Sequence, residues 1–217
     1  MKKRINFLVV PLVLSGLLFS CGGKEEGGDP GGAGAQGQEQ TPPRKKPLDP
    51  AAYGLHPEVE FRTSQGTFKV VLDAEKAPQT VKTILTYCLN GFYEGTAFHR
   101  IIPEFMAQGG GMEKSASGAL KRRTPSLSPI PDESGNGLVH LRGALSMAKP
   151  RGGLATCQFF ICYKRQSRLD GRYTVFGKVI EGMEVVDRWA NLPKREGTDN
   201  MPVDPPVIEK VVVSKGE

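Results

Sequence analysis

One segment divides this chain, because it cannot take part in a packed core. Between Gly22 and about Pro57 the residues are mainly Gly, Gln, Glu, Lys and Pro, and eight of the 27 glycines lie between Gly22 and Gly37. A segment with so little apolar surface cannot offset the entropy lost on ordering, so we expect it to be disordered. Folding is then confined to the ~160 residues that follow, enough for one hydrophobic core.

The first twenty residues are typical of an export signal. Basic residues 2–4 precede an apolar run over 5–19, which is too short to span ~30 Å of hydrocarbon as a helix. The run ends in Leu-Phe-Ser-Cys-Gly, with the cysteine at position 21, and this resembles the lipobox of bacterial lipoproteins. The resemblance implies a lipid on Cys21 and a place in the bacterial cell envelope, at the outer membrane or the periplasmic face rather than in the cytoplasm. An ordinary signal peptide that ends near a cysteine is the alternative.

The charge of the chain says little about partners. Its formal value is +6, from 29 Lys and Arg against 23 Asp and Glu, and residues 2–4 supply half of it. The remaining excess is weak evidence for nucleic acid as a partner, and none is expected. We predict a signal peptide over 1–20, a lipidated cysteine with a tether over 21–56, and a monomeric folded domain over 57–217.

The folded region predicts a mainly β fold. Strands are predicted over 59–63, 67–72, 97–106, 143–148, 158–163, 174–180 and 207–213, and helices from Pro78 onward and over 183–191. Short strands without a βαβ rhythm favour a closed antiparallel barrel with helical plugs. A polar loop is predicted over 111–137, and its basic residues 121–123 are expected to form a solvated surface.

The run over 98–110 places a charge among apolar residues. Alternation along a strand puts Phe98, Arg100 and Ile102 on one face. Because a guanidinium is rarely buried without a partner, Arg100 is either a snorkelling strand residue or a functional one. Runs over 145–148, 158–162, 169–171 and 175–179 add amide and aromatic groups.

These runs, in this order and spacing, resemble the cyclophilin family of peptidyl-prolyl cis/trans isomerases. The resemblance extends from about Val59 to Val213. It implies a closed eight-stranded antiparallel β-barrel capped by two α-helices. It also implies rotation about Xaa-Pro bonds of proline-containing polypeptides, with no cofactor and no metal. The barrier of ~18–20 kcal/mol comes from amide resonance, so an enzyme need only bind the twisted state better than the planar ones.

The same resemblance assigns roles to single residues. Arg100 would donate a hydrogen bond to the prolyl nitrogen of the twisted state, with Gln108 orienting it and Phe105 beside it. The apolar pocket for the proline ring would be formed by Phe105, Met106, Phe160 and Leu169. The backbone around Ala148 and Lys149 would pair with the substrate chain, and Gln158 and Tyr173 would also belong to the substrate-binding site.

Three residues depart from the family pattern. Arg168 stands where many cyclophilins have Trp, which should weaken cyclosporin binding. Tyr173 replaces a His, and Lys149 replaces an Asn whose contact is made by the main chain. Trp189 falls on the second predicted helix and is expected to lie in the core.

Two other classes of function stay open. The first is a binding or chaperone module without turnover, although retention of Arg100 and Gln108 argues against it. The second is a thiol hydrolase, in which Cys157 or Cys162 would need a histidine (His99 or His140) within hydrogen-bond reach. No cysteine-protease signature supports it, and buried free thiols are expected at these cysteines and at Cys88. The three histidines have no metal-site spacing.

Overall fold

The computed structural model describes residues 49–216, apart from residues 116 and 199. Two α-helices are present among them: α1 (Pro78–Leu89) and α2 (Met183–Trp189). They are accompanied by ten strands: β1 (Glu58–Thr63), β2 (Gly66–Leu72), β3 (Arg100–Ile102), β4 (Met106–Gly109), β5 (Met112–Lys114), β6 (Leu120–Arg122), β7 (Ala144–Met147), β8 (Phe159–Cys162), β9 (Val175–Glu181) and β10 (Ile208–Ser214). The predicted signal peptide, Cys21 and the tether up to residue 48 lie outside the described residues. Within the described part, no helix has the length and apolar character needed to cross a membrane.

Eight strands form one antiparallel sheet in the order β10-β1-β2-β9-β7-β8-β4-β3. This confirms the mainly β fold with two helices, but the prediction of a closed barrel is wrong: the sheet curls into a half-barrel. Among the described residues, its edge strands β3 and β10 are joined only through an isolated bridge between Ala97 and Val207. The cause is the loop over 91–96, which lies along β10 in place of a strand, so that Gly95 donates a 2.7 Å hydrogen bond to the Ile208 carbonyl.

The first hairpin and the first helix follow the predicted local signals. β1 and β2 pair across a two-residue turn, and Gly66 takes a φ of 120°, which favours glycine. Proline begins α1, and Gly91 follows its end with a φ of 70°. The apolar stripe of α1, including Ile84 and Leu85, is buried in the core.

The strand predicted over 97–106 is in fact two strands. The chain turns between β3 and β4, where the Phe105 amide donates a 3.1 Å hydrogen bond to the Ile102 carbonyl and Glu104 takes a φ of 61°. Phe98 precedes β3 and lies in the main core with Ile101, whereas Arg100 and Ile102 are half-buried on the other face. The prediction that Phe98 and Arg100 share a face is therefore wrong, because strand geometry begins only at Arg100.

The polar stretch over 111–137 contains the small β5–β6 hairpin, which the sequence did not predict. Arg123 is also not a solvated residue. It donates a 2.6 Å hydrogen bond to Glu113 and binds the carbonyl groups of Phe92 and Glu94. Arg123 thereby fastens the hairpin to the loop over 91–96. Lys121 and Arg122 are exposed, as predicted.

The main core lies between the sheet and the two helices. Trp189 is 1% exposed, and its ring centroid lies 4.6 Å from that of Phe98. This confirms the predicted core position of Trp189. Cys88, Cys157 and Cys162 are free and buried, which confirms the prediction for the thiols.

Candidate active site

Alternate residues of β8 divide between two separate apolar clusters. Phe159 and Ile161 belong to the main core, whereas Phe160 and Cys162 point to the opposite face of the sheet. Met106 on β4 joins them, and partly buried residues pack around these three: Ile102, Phe105, Ala148, Leu169 and Tyr173. We call this set the pocket cluster. It contains every residue predicted for the proline pocket.

The strand register brings polar groups to the edge of the pocket cluster. Arg100 lies opposite Gln108 across β3 and β4, and Gln108 lies opposite Phe160 across β4 and β8. Side chains of directly opposed residues lie on the same face, with Cβ atoms about 4.5–5.5 Å apart. Arg100 therefore lies beside Gln108, and Gln108 lies beside Phe160.

The amide of Gln108 is held by a second glutamine. Its Nε2 donates a 2.8 Å hydrogen bond to Oε1 of Gln158, which precedes β8. Because Nε2 is the donor in this bond, Oε1 is the acceptor that the Gln108 side chain can offer to a neighbouring donor. The sequence predicted both residues for the site, but it did not predict that they bond to each other.

The turn between β3 and β4 supports Phe105. Gln166 donates a 3.0 Å hydrogen bond to the Glu104 carbonyl, and Tyr163 donates one of 3.0 Å to the Phe105 carbonyl. The guanidinium carbon of Arg168 lies 4.7 Å from the centroid of the Phe105 ring, a cation–π contact. Arg168 thus covers one side of the pocket cluster.

Tyr173 and Lys149 border the other side of the pocket cluster. The Tyr173 ring meets Phe160 edge to face, with centroids 6.1 Å apart. The ammonium of Lys149 lies 5.7 Å from the Tyr173 centroid and forms an ion pair with Asp132. The hydrogen bond within this pair is the main reason that the pKa of the Asp132 carboxyl is lowered to about 2.

A buried histidine lies behind the pocket, in a position that the sequence did not indicate. His140 is fully buried, its Nδ1 lies 2.8 Å from Oδ1 of Asp170, and its Nε2 lies 2.9 Å from the Ser146 hydroxyl. Its ring is stacked on Phe160 at a centroid distance of 6.0 Å. The only sequence signal was the Leu169-Asp170-Gly171 run, which gave no indication that Asp170 binds His140.

The electrostatics of this network favour a neutral imidazole. Burial lowers the pKa of His140, while Asp170 acts in the opposite direction. The ion pair with Arg165 is the main cause that holds the pKa of Asp170 well below its usual range. A neutral His140 that donates from Nδ1 to Asp170 leaves Nε2 as an acceptor. Nε2 shares the single Ser146 hydroxyl hydrogen with the Thr174 carbonyl, which lies 3.1 Å from the same hydroxyl, and these contacts tie the segment carrying Leu169 to β7.

The cysteines do not form a nucleophilic site. Burial raises the pKa of Cys157, and it raises that of Cys162 to about 12. His140 is engaged by Ser146 and Asp170 rather than by a thiol. Because a thiol of high pKa is a poor nucleophile, this geometry does not support a thiol hydrolase. The described residues contain no group of three or more His, Cys, Asp or Glu side chains that could hold a metal ion.

Comparison with known proteins decides the family. The sequence profile described as "Cyclophilin type peptidyl-prolyl cis-trans isomerase/CLD" matches residues 58–213. The chain belongs to the cyclophilin family. Cyclophilins are peptidyl-prolyl cis/trans isomerases, so this protein is an isomerase of that class.

Individual relatives agree with the family profile. A peptidyl-prolyl cis-trans isomerase of Acinetobacter baylyi is 45% identical over 141 residues, which cover 62% of this chain and 72% of the relative. Peptidyl-prolyl cis-trans isomerase B of Escherichia coli is 38% identical over 168 residues, covering 72% and 99%. A cyclophilin-type isomerase of Cryptosporidium parvum, solved in the presence of the dipeptide Ala-Pro, is 29% identical with a TM-score of 0.58, covering 73% and 99%.

The structure brings the predicted cyclophilin site residues to one face of the sheet. Five of them belong to the pocket cluster along with Ala148, and Arg100, Gln108, Gln158 and Lys149 lie at its edge. Their roles toward a substrate stay predictions. The sequence did not identify the supporting residues His140, Ser146 and Asp170.

Proposed function

We propose that this cyclophilin isomerises Xaa-Pro bonds in exported polypeptides, with Arg100 hydrogen-bonding the prolyl nitrogen of the twisted state. The observation that carries this proposal is the register Arg100–Gln108–Phe160 across β3, β4 and β8. It sets a charged donor beside an apolar cluster that is separate from the core. A proline ring needs such a cluster, and a twisted amide needs such a donor.

The apolar cluster fits a proline ring. Met106 and Phe160 are 2% and 5% exposed, and half-buried Phe105, Leu169 and Tyr173 surround them. The related Cryptosporidium parvum cyclophilin was solved in the presence of the dipeptide Ala-Pro, which supports a proline-containing ligand for this protein.

The reaction requires no bond making or breaking at the enzyme. Twisting the amide ends its resonance, so the prolyl nitrogen becomes a better hydrogen-bond acceptor. A hydrogen bond to a charged group contributes about 1.5–3 kcal/mol, and each 1.36 kcal/mol changes a rate about tenfold. A bond made only in the twisted state therefore accelerates rotation by about 10- to 100-fold.

The backbone beyond β7 suits an extended peptide. The Ala148 amide donates a 2.9 Å hydrogen bond to the Gln158 carbonyl. Among the described residues, the Ala148 carbonyl and the Lys149 amide take part in no backbone hydrogen bond. They are the groups that an added substrate strand would pair with.

A peptide assay with the full chain tests the enzymatic proposal. The protein should accelerate cis/trans exchange of an Ala-Pro peptide. Phe160→Ala should raise KM, because the proline ring loses its apolar contact with the Phe160 ring. Val212→Ala, on the outer strand β10, provides a matched control. Peptide binding without any acceleration would favour the alternative of a non-catalytic binding or chaperone module.

We also propose that a lipid on Cys21 holds the protein at the bacterial cell envelope, where its substrates are exported chains that are still folding. The lipobox-like sequence supports this anchor. The Cys21→Ser chain should appear in the soluble fraction, whereas Ser20→Ala, which keeps the cysteine, should stay with membranes. Equal membrane retention of the two variants would contradict the anchor.

A further inference from the structure

Four basic side chains border a recess beside the pocket cluster. This recess of about 350 Å³ is lined by Lys149, Arg151, Arg168 and Arg172 and, among the described residues, by no acidic one. We call these four residues the basic rim. Leu169 and Tyr173 line the same recess and also pack in the pocket cluster, so the basic rim adjoins the proline site.

The carboxylates near the basic rim are already engaged. Asp132 pairs with Lys149, and Asp170 pairs with Arg165 at 2.5 Å. A third carboxylate, Glu104, pairs with Lys164 at 2.9 Å. Within the described part of the chain, none of the three rim arginines has a carboxylate within 4.0 Å. Three of the four positive charges of the basic rim, those of the arginines, are therefore not neutralised by a carboxylate of the described residues.

The stacked arginine is suited to bind a carboxylate. The guanidinium of Arg168 lies over the Phe105 ring at 4.7 Å, which engages one face of the group. The N–H groups of a stacked guanidinium remain at its edge, where they can meet a carboxylate in two parallel hydrogen bonds. Because Phe105 belongs to the pocket cluster, a carboxylate bound there would lie next to the proline.

We propose that the basic rim selects polypeptides that carry Asp or Glu shortly before the isomerised Xaa-Pro pair. This inference rests on the proposed function of the same site and names its preferred substrates. The Lys149 backbone is where an added peptide strand would run, so acidic residues on that side of the proline reach Arg151 and Arg172. A polypeptide explains the basic rim better than an anionic lipid, because the recess shares Leu169 and Tyr173 with the proline pocket.

Matched peptides test this preference. Three peptides share an Ala-Pro pair and differ in the two residues that precede it, which are Glu, Gln or Lys. An exposed ion pair contributes about 0.2–1 kcal/mol, so kcat/KM for the Glu peptide should exceed that for the Gln peptide by about 1.4- to 5-fold for each ion pair formed at low salt. The Lys peptide should be the poorest, and the differences should nearly vanish at about 0.5 M NaCl because salt screens exposed charges.

Variants assign the effect to the basic rim. The double variant Arg151→Gln/Arg172→Gln should bring the Glu-to-Gln ratio of kcat/KM close to one, whereas Arg62→Gln on distant β1 should leave the ratio unchanged. Equal kcat/KM for the Glu and Gln peptides at low salt would overturn the preference and leave the isomerase intact. If no peptide were isomerised, the proposed function would fail, and fluorescence anisotropy of the same peptides would still decide whether the basic rim prefers carboxylates.

An experiment with lipid vesicles tests whether the basic rim binds anionic lipid instead of an acidic peptide. The wild-type chain and the double variant are mixed with phosphatidylcholine vesicles with and without phosphatidylglycerol. If the double variant lost vesicle binding but kept the Glu-to-Gln ratio, the basic rim would face lipid and the proposal would be wrong. A lost ratio with unchanged vesicle binding is the result we expect.

Discussion

Gly111 lies directly against the side chain of Gln158. A Cβ built on Gly111 would overlap Cγ, Cδ and Nε2 of Gln158, although the backbone of Gly111 is in an ordinary conformation. The glycine is thus required by space rather than by its φ angle. Because Gln158 in turn accepts the hydrogen bond from Gln108, the missing side chain at Gly111 helps to set the active-site amide.

Gly111→Ala should therefore lower activity through Gln158. The added methyl displaces Gln158, so that Gln108 loses its 2.8 Å partner, and we expect kcat/KM to fall about tenfold, the size of one lost hydrogen bond. Gly135→Ala is the control, since no heavy atom lies within 4 Å of a Cβ at that position. Equal kcat/KM values for the two variants would show that the packing against Gln158 does not matter.

The pH dependence of stability should report on His140. Burial lowers its pKa from the ordinary 6.5, so the unfolded chain takes up the proton first as the pH falls. Stability is then fully present above pH 6.5 and decreases below it, by at most about 1.4 kcal/mol per pH unit for one proton. Burial also lowers the pKa of His99, which adds to the same slope.

Denaturant unfolding at pH 7 and pH 5 measures this slope. His140→Asn should reduce the slope to the part that His99 contributes, because the amide can still donate to Asp170 but does not titrate. The matched variant His56→Asn, at a residue that is exposed, should keep the wild-type slope. An unchanged slope in His140→Asn would mean that the buried histidine carries no proton-linked stability.

Arg168→Trp should strengthen cyclosporin binding. The substitution restores the residue that many cyclophilins have there and replaces a charge over Phe105 with an aromatic surface. Aromatic contacts contribute about 0.5–1.5 kcal/mol, so the Kd should fall about two- to tenfold. Calorimetry measures the Kd, with Arg168→Lys as the control, because lysine keeps the positive charge but lacks the planar guanidinium. A Kd for Arg168→Trp no lower than the wild-type value would contradict the expectation.

Some parts of the fold could be predicted from local patterns and others could not. The β1–β2 hairpin and α1 carry Gly, Pro and periodic apolar residues at the right places, so their bounds were close. The turn between β3 and β4 was missed because Glu104, not glycine, takes the positive φ in it. The open edge of the sheet depends on how the loop over 91–96 lies against β10, which no local pattern encodes.

The site shows the same division. Arg100, Gln108 and Phe160 could be identified because their sequence runs are distinctive, and the register then placed them on one face. The His140–Asp170 contact joins residues 30 positions apart, so histidine spacing gave no sign of it. Arg123 appeared to belong to a solvated basic run, but its carbonyl partners lie about 30 residues away along the chain.

The most direct test of the account is the isomerisation rate of Arg100 variants. Arg100→Ala should lower kcat/KM for an Ala-Pro peptide by about 10- to 100-fold. Arg100→Lys should also lower kcat/KM, because the lysine ammonium does not reproduce the planar arrangement of donors in a guanidinium. Unchanged unfolding free energy would confirm that the variants are folded. Wild-type turnover in a folded Arg100→Ala protein would contradict the proposed mechanism.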